Sequence, residues 1–209
     1  QIKLSLHFTI HDIRPFQWLN YHEKKKSKFK ILIRYTGLLE LDNYNNFDDY
    51  ISKIRYARRS DYKKALGENF FCLEETNTEI ILNLLKKTYE RQNISEYFTD
   101  LLFSQKLISH AITNNYGRLL VCYNEDKIPV SSSFFLHDHN YGYYYIGATN
   151  PEFRKYGVGT LVILEQLKYL YNKNIKKYDF VGINSPNRGD FKTSFNANPS
   201  IYFELNLIK

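Results

Sequence analysis

The sequence predicts a layered α/β domain with a mixed central sheet flanked by helices. Three observations predict it. Helical apolar patterns fill the middle of the chain, three strand-like segments with short turns follow them, and a last apolar helix leads into two closing strands. With 209 residues and 43% hydrophobic content, the chain can bury a sizeable core as one or at most two domains. Its 19 Tyr and 15 Phe suit strands and pocket walls.

Taken in order, residues 1–9 alternate Ile2, Leu4, Leu6 and Phe8 with Lys3, Ser5, His7 and Thr9, the pattern of a half-buried strand. Arg14-Pro15-Phe16-Gln17-Trp18 turns into a short helix, and Ile31, Leu32, Ile33 and Tyr35 mark a second strand over 30–41. A polar asparagine-rich connector over 43–49 leads into a helix from Phe47 to about Leu66, acidic at its start and ended by Gly67. A strand over 70–74 follows, then a helix capped by Asn77 or Thr78 and running to about Gln92, then a helix over 97–114. Strands are expected over 117–124, 127–138 and 141–149, with turns at Asn124-Glu125-Asp126 and His139-Asn140. Val158, Leu161, Val162, Leu164, Leu167 and Tyr171 give a helix over 158–172. A strand over 177–183, a long loop and a strand over 200–207 finish the chain.

Composition narrows the chemistry less than the pattern does. A net charge of +7 favours anionic partners: coenzyme A, a nucleotide-linked sugar, tRNA or an anionic membrane surface. Cys72 and Cys122 offer neither a disulfide framework nor metal-ligand spacing, and read as small core hydrophobes in a reducing, cytoplasmic compartment. The six histidines show no paired ligand spacing, so no metal site is expected. No apolar run is long enough to span a bilayer, and residues 1–10 do not read as a signal peptide. The chain holds no methionine and starts at Gln1, so it is expected to be a processed chain, a piece of a longer protein or a sequence lacking its methionine positions.

The most informative stretch runs from Tyr143 to Thr160. An aromatic strand enters Gly147-Ala148-Thr149-Asn150-Pro151, then Arg154-Lys155-Tyr156-Gly157-Val158-Gly159, and opens directly into the apolar helix. The first N–H groups of a helix lack internal partners and carry partial positive charge, so this junction is built to hold phosphate. The glycines let the backbone approach an anion, and Arg154 and Lys155 add full charges.

Residues 154–159 resemble the R/Q-x-x-G-x-G/A pyrophosphate loop of the GNAT superfamily of N-acetyltransferases. A second resemblance begins at Tyr178. Asp179-Phe180-Val181-Gly182, a loop, and Phe191-Lys192-Thr193-Ser194-Phe195 resemble the C-terminal signature of the Fem-type peptidoglycan bridge-forming transferases and of the GNAT-like acyltransferases of polysaccharide biosynthesis, the cellulose-biosynthesis type among them. Residues 59–65 and Thr88-Tyr89-Glu90-Arg91 resemble upstream segments of the same group in the same order. The resemblance implies a GNAT fold over 45–209, with residues 1–44 as the tail of a preceding GNAT-like half lying upstream of Gln1.

It also implies an acyl-CoA, acetyl-CoA first, as co-substrate. Ile146, Gly147 and Ala148 would offer backbone groups to the pantetheine arm, and Arg154, Lys155, Tyr156, Gly157, Val158, Gly159 and Thr160 would hold the pyrophosphate. A bulky residue at Gly157 or Gly159 is then expected to remove coenzyme A binding and leave the fold intact. Lys192, flanked by aromatics, is the candidate for oxyanion stabilisation, with Asp179 and Asn184 beside it as further catalytic candidates; Asp179 reads equally as a structural anchor and Asn184 as part of a turn. His137, Asp138, His139 and His110 are weaker candidates for a general base. The leading expectation is an acyl-CoA-dependent N-acyltransferase acting on a small amine, an amino sugar or nucleotide-linked sugar of surface polysaccharide biosynthesis. An aminoacyl-tRNA-dependent peptidyltransferase of the Fem type comes second, with Lys53, Arg55, Arg58, Arg59, Lys63 and Lys64 as a basic helix face for tRNA or anionic lipid. A non-catalytic ligand-binding module comes third, and self-association into a homo-oligomer is left open.

Overall fold

The computed structural model describes residues 2–91, 93 and 98–208. One eight-stranded sheet organises the chain, in the order β1-β8-β2-β7-β6-β5-β4-β3. Its strands are β1 (Ile2–Ser5), β2 (Lys28–Glu40), β3 (Phe71–Glu75), β4 (Gly117–Tyr123), β5 (Pro129–His137), β6 (Tyr141–Thr149), β7 (Lys177–Asp179) and β8 (Asn198–Ile208). The helices are α1 (Arg14–Trp18), α2 (Phe47–Lys53), α3 (Tyr56–Gly67), α4 (Thr78–Arg91), α5 (Phe98–Thr113), α6 (Val158–Asn172) and α7 (Pro186–Thr193). All strand pairs are antiparallel except β6–β7, which is parallel. The expected layered α/β fold with a mixed sheet is what the chain adopts.

Two apolar clusters lie on the helix-covered parts of the sheet. One joins Leu161, Leu164 and Leu167 of α6 to Tyr50, Ala65, Phe135, Tyr178 and Phe180. The other joins Ile81, Leu84 and Leu85 of α4 to Ile108 and Ala111 of α5 and to Leu119, Val121 and Phe134. Cys72 and Cys122, fifty residues apart in sequence, face each other across β3 and β4. Both are free thiols, and the hydrogen bond to Cys122, together with burial, holds the Cys72 thiol well above its ordinary range.

Several elements differ from the sequence pattern. Strand β1 is not half-buried: all four of its residues are exposed, because it is the outermost strand, paired on one side to β8. The single helix expected from Phe47 to Leu66 is two. Ile54 leaves the helix to become 1% exposed in the core, and the Arg55 amide donates to the Ser194 carbonyl at 3.2 Å. That break lets α3 swing against α6. The strand expected over 177–183 stops at Asp179, because Val181 and Gly182 take positive φ values of 47° and 65°. The long loop after it contains α7, which begins on Pro186 at its first position, where a missing N–H loses nothing. Pro151–Tyr156, expected as loop, is a 3₁₀ turn entered through Asn150, whose side chain accepts the Glu152 amide at 3.3 Å. The expected helix ends at Gln92 and Tyr97 fall outside the described residues.

Candidate active site

The site is a split in the sheet. β6 and β7 pair only through Tyr141–Lys177, Gly142–Tyr178 and Tyr143–Asp179. Beyond Asp179 the chain follows β2 instead: the Phe180 amide donates to the Gly37 carbonyl at 2.8 Å and the Ile183 amide to the Tyr35 carbonyl at 2.9 Å. The second half of β6 therefore runs on with that edge open. A register shift between Phe134 and Phe135, where Tyr145 is the extra residue, bends β6 just past the divergence.

Register decides which main-chain groups face the split. The Asn150 amide donates to the Val130 carbonyl at 2.8 Å. Alternation along an antiparallel strand then turns the N–H and C=O of Ala148 and Ile146 toward β5, and those of Gly147 and Thr149 toward the open side. Of Ile146, Gly147 and Ala148, the three residues expected to supply backbone contacts, Gly147 alone turns its main-chain groups to the open side. Ala148 contributes its side chain to the cleft wall instead.

An open cleft of about 120 Å³ occupies the split, and Arg91, Ser132, Tyr144, Ala148, Arg154 and Gly159 are among its lining residues. Thr88 and Arg91 reach it from the end of α4, so the Thr-x-x-Arg segment and the Arg154–Gly159 loop meet across it. At its mouth α6 begins. The Thr160 and Leu161 amides already donate to the Gly157 carbonyl at 2.9 and 3.0 Å. Val158 and Gly159 are the first two helical residues, whose amides have no intrahelical acceptor. A Cβ at Gly159 would meet Thr149 Oγ1 at 3.1 Å and nothing else within 4 Å. Arg154 and Lys155 are exposed beside these amides, with the Lys155 ammonium 5.0 Å from the Tyr156 ring centroid.

Gly157 and Thr160 do other work. Gly157, at φ 77°, is pressed onto the main chain of Asp61 in α3. Thr160 is 1% exposed; its hydroxyl donates to Asp61 at 3.0 Å and accepts from Arg58 at 3.1 Å. Arg58 also pairs with Asp61 at 3.1 Å and lies 4.9 Å over the Phe191 ring. These contacts dock the basic α3 helix beside the Arg154–Gly159 turn. Val158 is fully buried, so only its main-chain amide is open to a binding role.

The three catalytic candidates gather below the divergence. Lys192 donates to the carbonyls of Val181 and, at 3.0 Å, of Gly182, and its ammonium stands 5.3 Å from the Tyr144 ring centroid. Burial pushes its pKa down to about 8. Asp179 is 7% exposed and accepts from the Thr36 hydroxyl and, at 2.7 Å, from the Val181 amide. Burial holds its pKa above the usual carboxylate range. Asn184 is spent on structure: it pairs with both main-chain groups of Tyr35, at 2.8 and 2.9 Å, as another strand would. Asp138 is likewise committed, accepting the Asn140 and Tyr141 amides at 2.7 Å each. His137 sits next to it at the strand end, with burial lowering its pKa. His110 lies in the last turn of α5, where its carbonyl accepts from the Asn114 side chain.

A family model described as an acetyltransferase (GNAT) domain matches residues 49–193. The chain belongs to the GNAT family. Its match takes in the split, the Arg154–Gly159 turn and Lys192 together. The GNAT chain is 26% identical over 151 residues to the aminoacyltransferase FemA of Staphylococcus epidermidis, covering 71% of this chain and 31% of that protein. It is 25% identical over 165 residues to the FemA of Staphylococcus aureus, covering 74% of this chain and 35% of that protein. The chain thus spans about a third of the curated relatives it matches. In structure it is similar to FemX, with a TM-score of 0.72 at 15% identity over 84% of this chain and 62% of that one. A tandem GNAT protein from the clavulanic acid biosynthesis pathway aligns with a TM-score of 0.53 over 84% of this chain. These likenesses bear out the expected kinship with GNAT and Fem-type acyltransferases. Among the described residues no helix is long and apolar enough to cross a membrane, and no three His, Cys, Asp or Glu side chains gather as metal ligands would.

Proposed function

We propose that this GNAT domain transfers an aminoacyl group to an amine from a phosphate-bearing carrier, with the 3′ end of a charged tRNA as that carrier. The observation that carries the reading is the β6–β7 split opening onto the α6 N-terminus, with Arg91 and Arg154 on either side. The open edge of β6 would align the donor, and the Val158 and Gly159 amides with Arg154 would hold a phosphate. Lys192, largely desolvated and with its pKa pushed down to about 8, would face the reacting carbonyl or a phosphate oxygen. Two things favour tRNA over a smaller carrier. The FemA relatives bear the name aminoacyltransferase, and the cationic α3 helix, with Arg59, Lys63 and Lys64 along an open surface, abuts the phosphate-holding turn. This ranks the donors differently from the sequence expectation.

A second reading keeps acyl-CoA, acetyl-CoA first, as donor and a small amine such as an amino sugar as acceptor. The complete Arg154–Gly159 turn favours it, since two free amides and an arginine suit a diphosphate. Coenzyme A would be held by Arg154, Val158 and Gly159, and would supply the thioester. Residues 1–44 lend β1 and β2 to the same sheet, and we propose that they end a preceding GNAT-like half.

Titration of the chain with a charged tRNA minihelix and with acetyl-CoA, followed by transfer assays on amine acceptors, tests both readings. Saturable minihelix binding that weakens steeply with salt supports the first. Binding of acetyl-CoA alone transfers the case to the second. Failure of both carriers to bind removes the site.

A further inference from the structure

Ser131, Ser132 and Ser133 lie next to one another in β5, all buried, and only one of them is both unpartnered and on the cleft. Ser131 Oγ bonds the Ala148 carbonyl at 3.1 Å and Thr149 Oγ1 at 2.8 Å. Ser133 has an unpartnered hydroxyl but is absent from the cleft wall, and its carbonyl accepts from Gln166. Ser132 is 1% exposed, its Oγ has no partner, and it lines the cleft directly across from Ala148. We infer that Ser132 selects the acyl group: its hydroxyl pairs with an amino or hydroxyl substituent on the group being transferred.

The physical case is one of an unmet hydrogen bond beside the apolar part of the cleft wall. Ala148, Val162, Ile163 and Phe191 form the apolar part of the wall, and Arg91, Thr149 and Arg154 are among its polar members. A hydroxyl shut away from water without a partner loses its hydration and regains nothing. An acetyl methyl group seated there leaves that loss standing, whereas an α-amino or α-hydroxyl group removes it. Sites with a buried polar group reject the analogue lacking the matching group far better than apolar pockets reject an extra methylene. Ser132 is thus a specificity residue of the transfer reaction, and the inference rests on the acyltransferase reading above.

Two matched ligand pairs test it on the full chain by calorimetric titration. One pair is a CCA trinucleotide ending in 3′-glycylamino- or 3′-acetylamino-3′-deoxyadenosine; the other is hydroxyacetyl-CoA against acetyl-CoA. The expected result is that the polar acyl group binds about tenfold more tightly on whichever carrier binds, the ratio for one hydrogen bond. Ser132→Ala should bring the ratio to near one, and Ser133→Ala should keep it. Ser132→Cys, of similar shape and a weaker hydrogen-bonding group, gives the same reading if the alanine variant folds badly. Equal affinities in the unaltered chain, or a ratio unchanged by both Ser132 substitutions, overturns the inference and leaves the acyltransferase reading standing. No saturable binding of any of the four ligands overturns both.

Discussion

Gly157 rests on the main chain of Asp61, so closely that a Cβ would stand 2.7 Å from Asp61 Cα. The glycine at the head of α6 is therefore needed for packing as well as for its φ of 77°. Gly157→Ala is expected to destabilise the domain by roughly 2 kcal/mol or more, from left-handed strain and displacement of α3. Gly159→Ala, whose methyl would press only on the Thr149 hydroxyl, should change the melting temperature far less than Gly157→Ala while weakening binding of a phosphate-bearing donor about tenfold. Thermal denaturation beside titration separates the two; equal melting losses would show that Gly159 is a packing residue too.

Lys192 makes stability rise with pH in a defined window. Its folded pKa of about 8 lies below the ordinary 10.5, so between those values the unfolded chain binds the extra proton. Unfolding free energy should climb from pH 8 toward pH 10. Above that, burial of tyrosines such as Tyr50 and Tyr178 reverses the slope, because their folded pKa values are raised and only the unfolded chain ionises. Urea melts of Lys192→Met should lose the rise between pH 8 and pH 10. An unaltered slope would mean that the ammonium is solvated.

Asp179 tests anchor against catalyst. Burial raises its pKa, so the native state holds the proton longer than the unfolded chain does. The stability this gives is full below the ordinary carboxyl pKa of 3.8 and is lost as pH rises through the folded pKa. Asp179→Asn keeps acceptors for Thr36 and Val181 without a buried charge, and should leave stability at pH 7 equal or slightly higher. Transfer activity within a few-fold of the unaltered chain would mark an anchor; a loss of a hundredfold or more in kcat would place its carboxylate in the chemistry.

Arg91 and Arg154 line the cleft from opposite elements, and each is expected to neutralise one phosphate of the donor. Arg154→Ala should reduce the slope of log affinity against log salt by about 0.7 for a single-stranded carrier. Arg91→Ala should do the same, and the double variant the sum. A slope untouched by both changes would move the phosphates elsewhere on the surface.

Helix α6 and strand β6 were legible to the residue, because an apolar 3.6-residue period and an aromatic run bounded by turns are local signals. Pro186 after Ser185 was a readable helix start that the loop reading passed over. The break at Ile54 carried no such signal, since it depends on the Ser194 carbonyl far along the chain.

By itself the sequence determined the layered α/β class, the kinship with GNAT and Fem-type transferases, and the basic glycine turn ahead of α6. All of these are written in short-range order. Only the tertiary structure decided that β6 and β7 part after Asp179, that of Ile146, Gly147 and Ala148 only Gly147 turns its main-chain groups to the gap, and that Asn184 is used up on Tyr35. Each of those is set by pairing between distant strands, and a shift of one residue in register would reverse which groups point where.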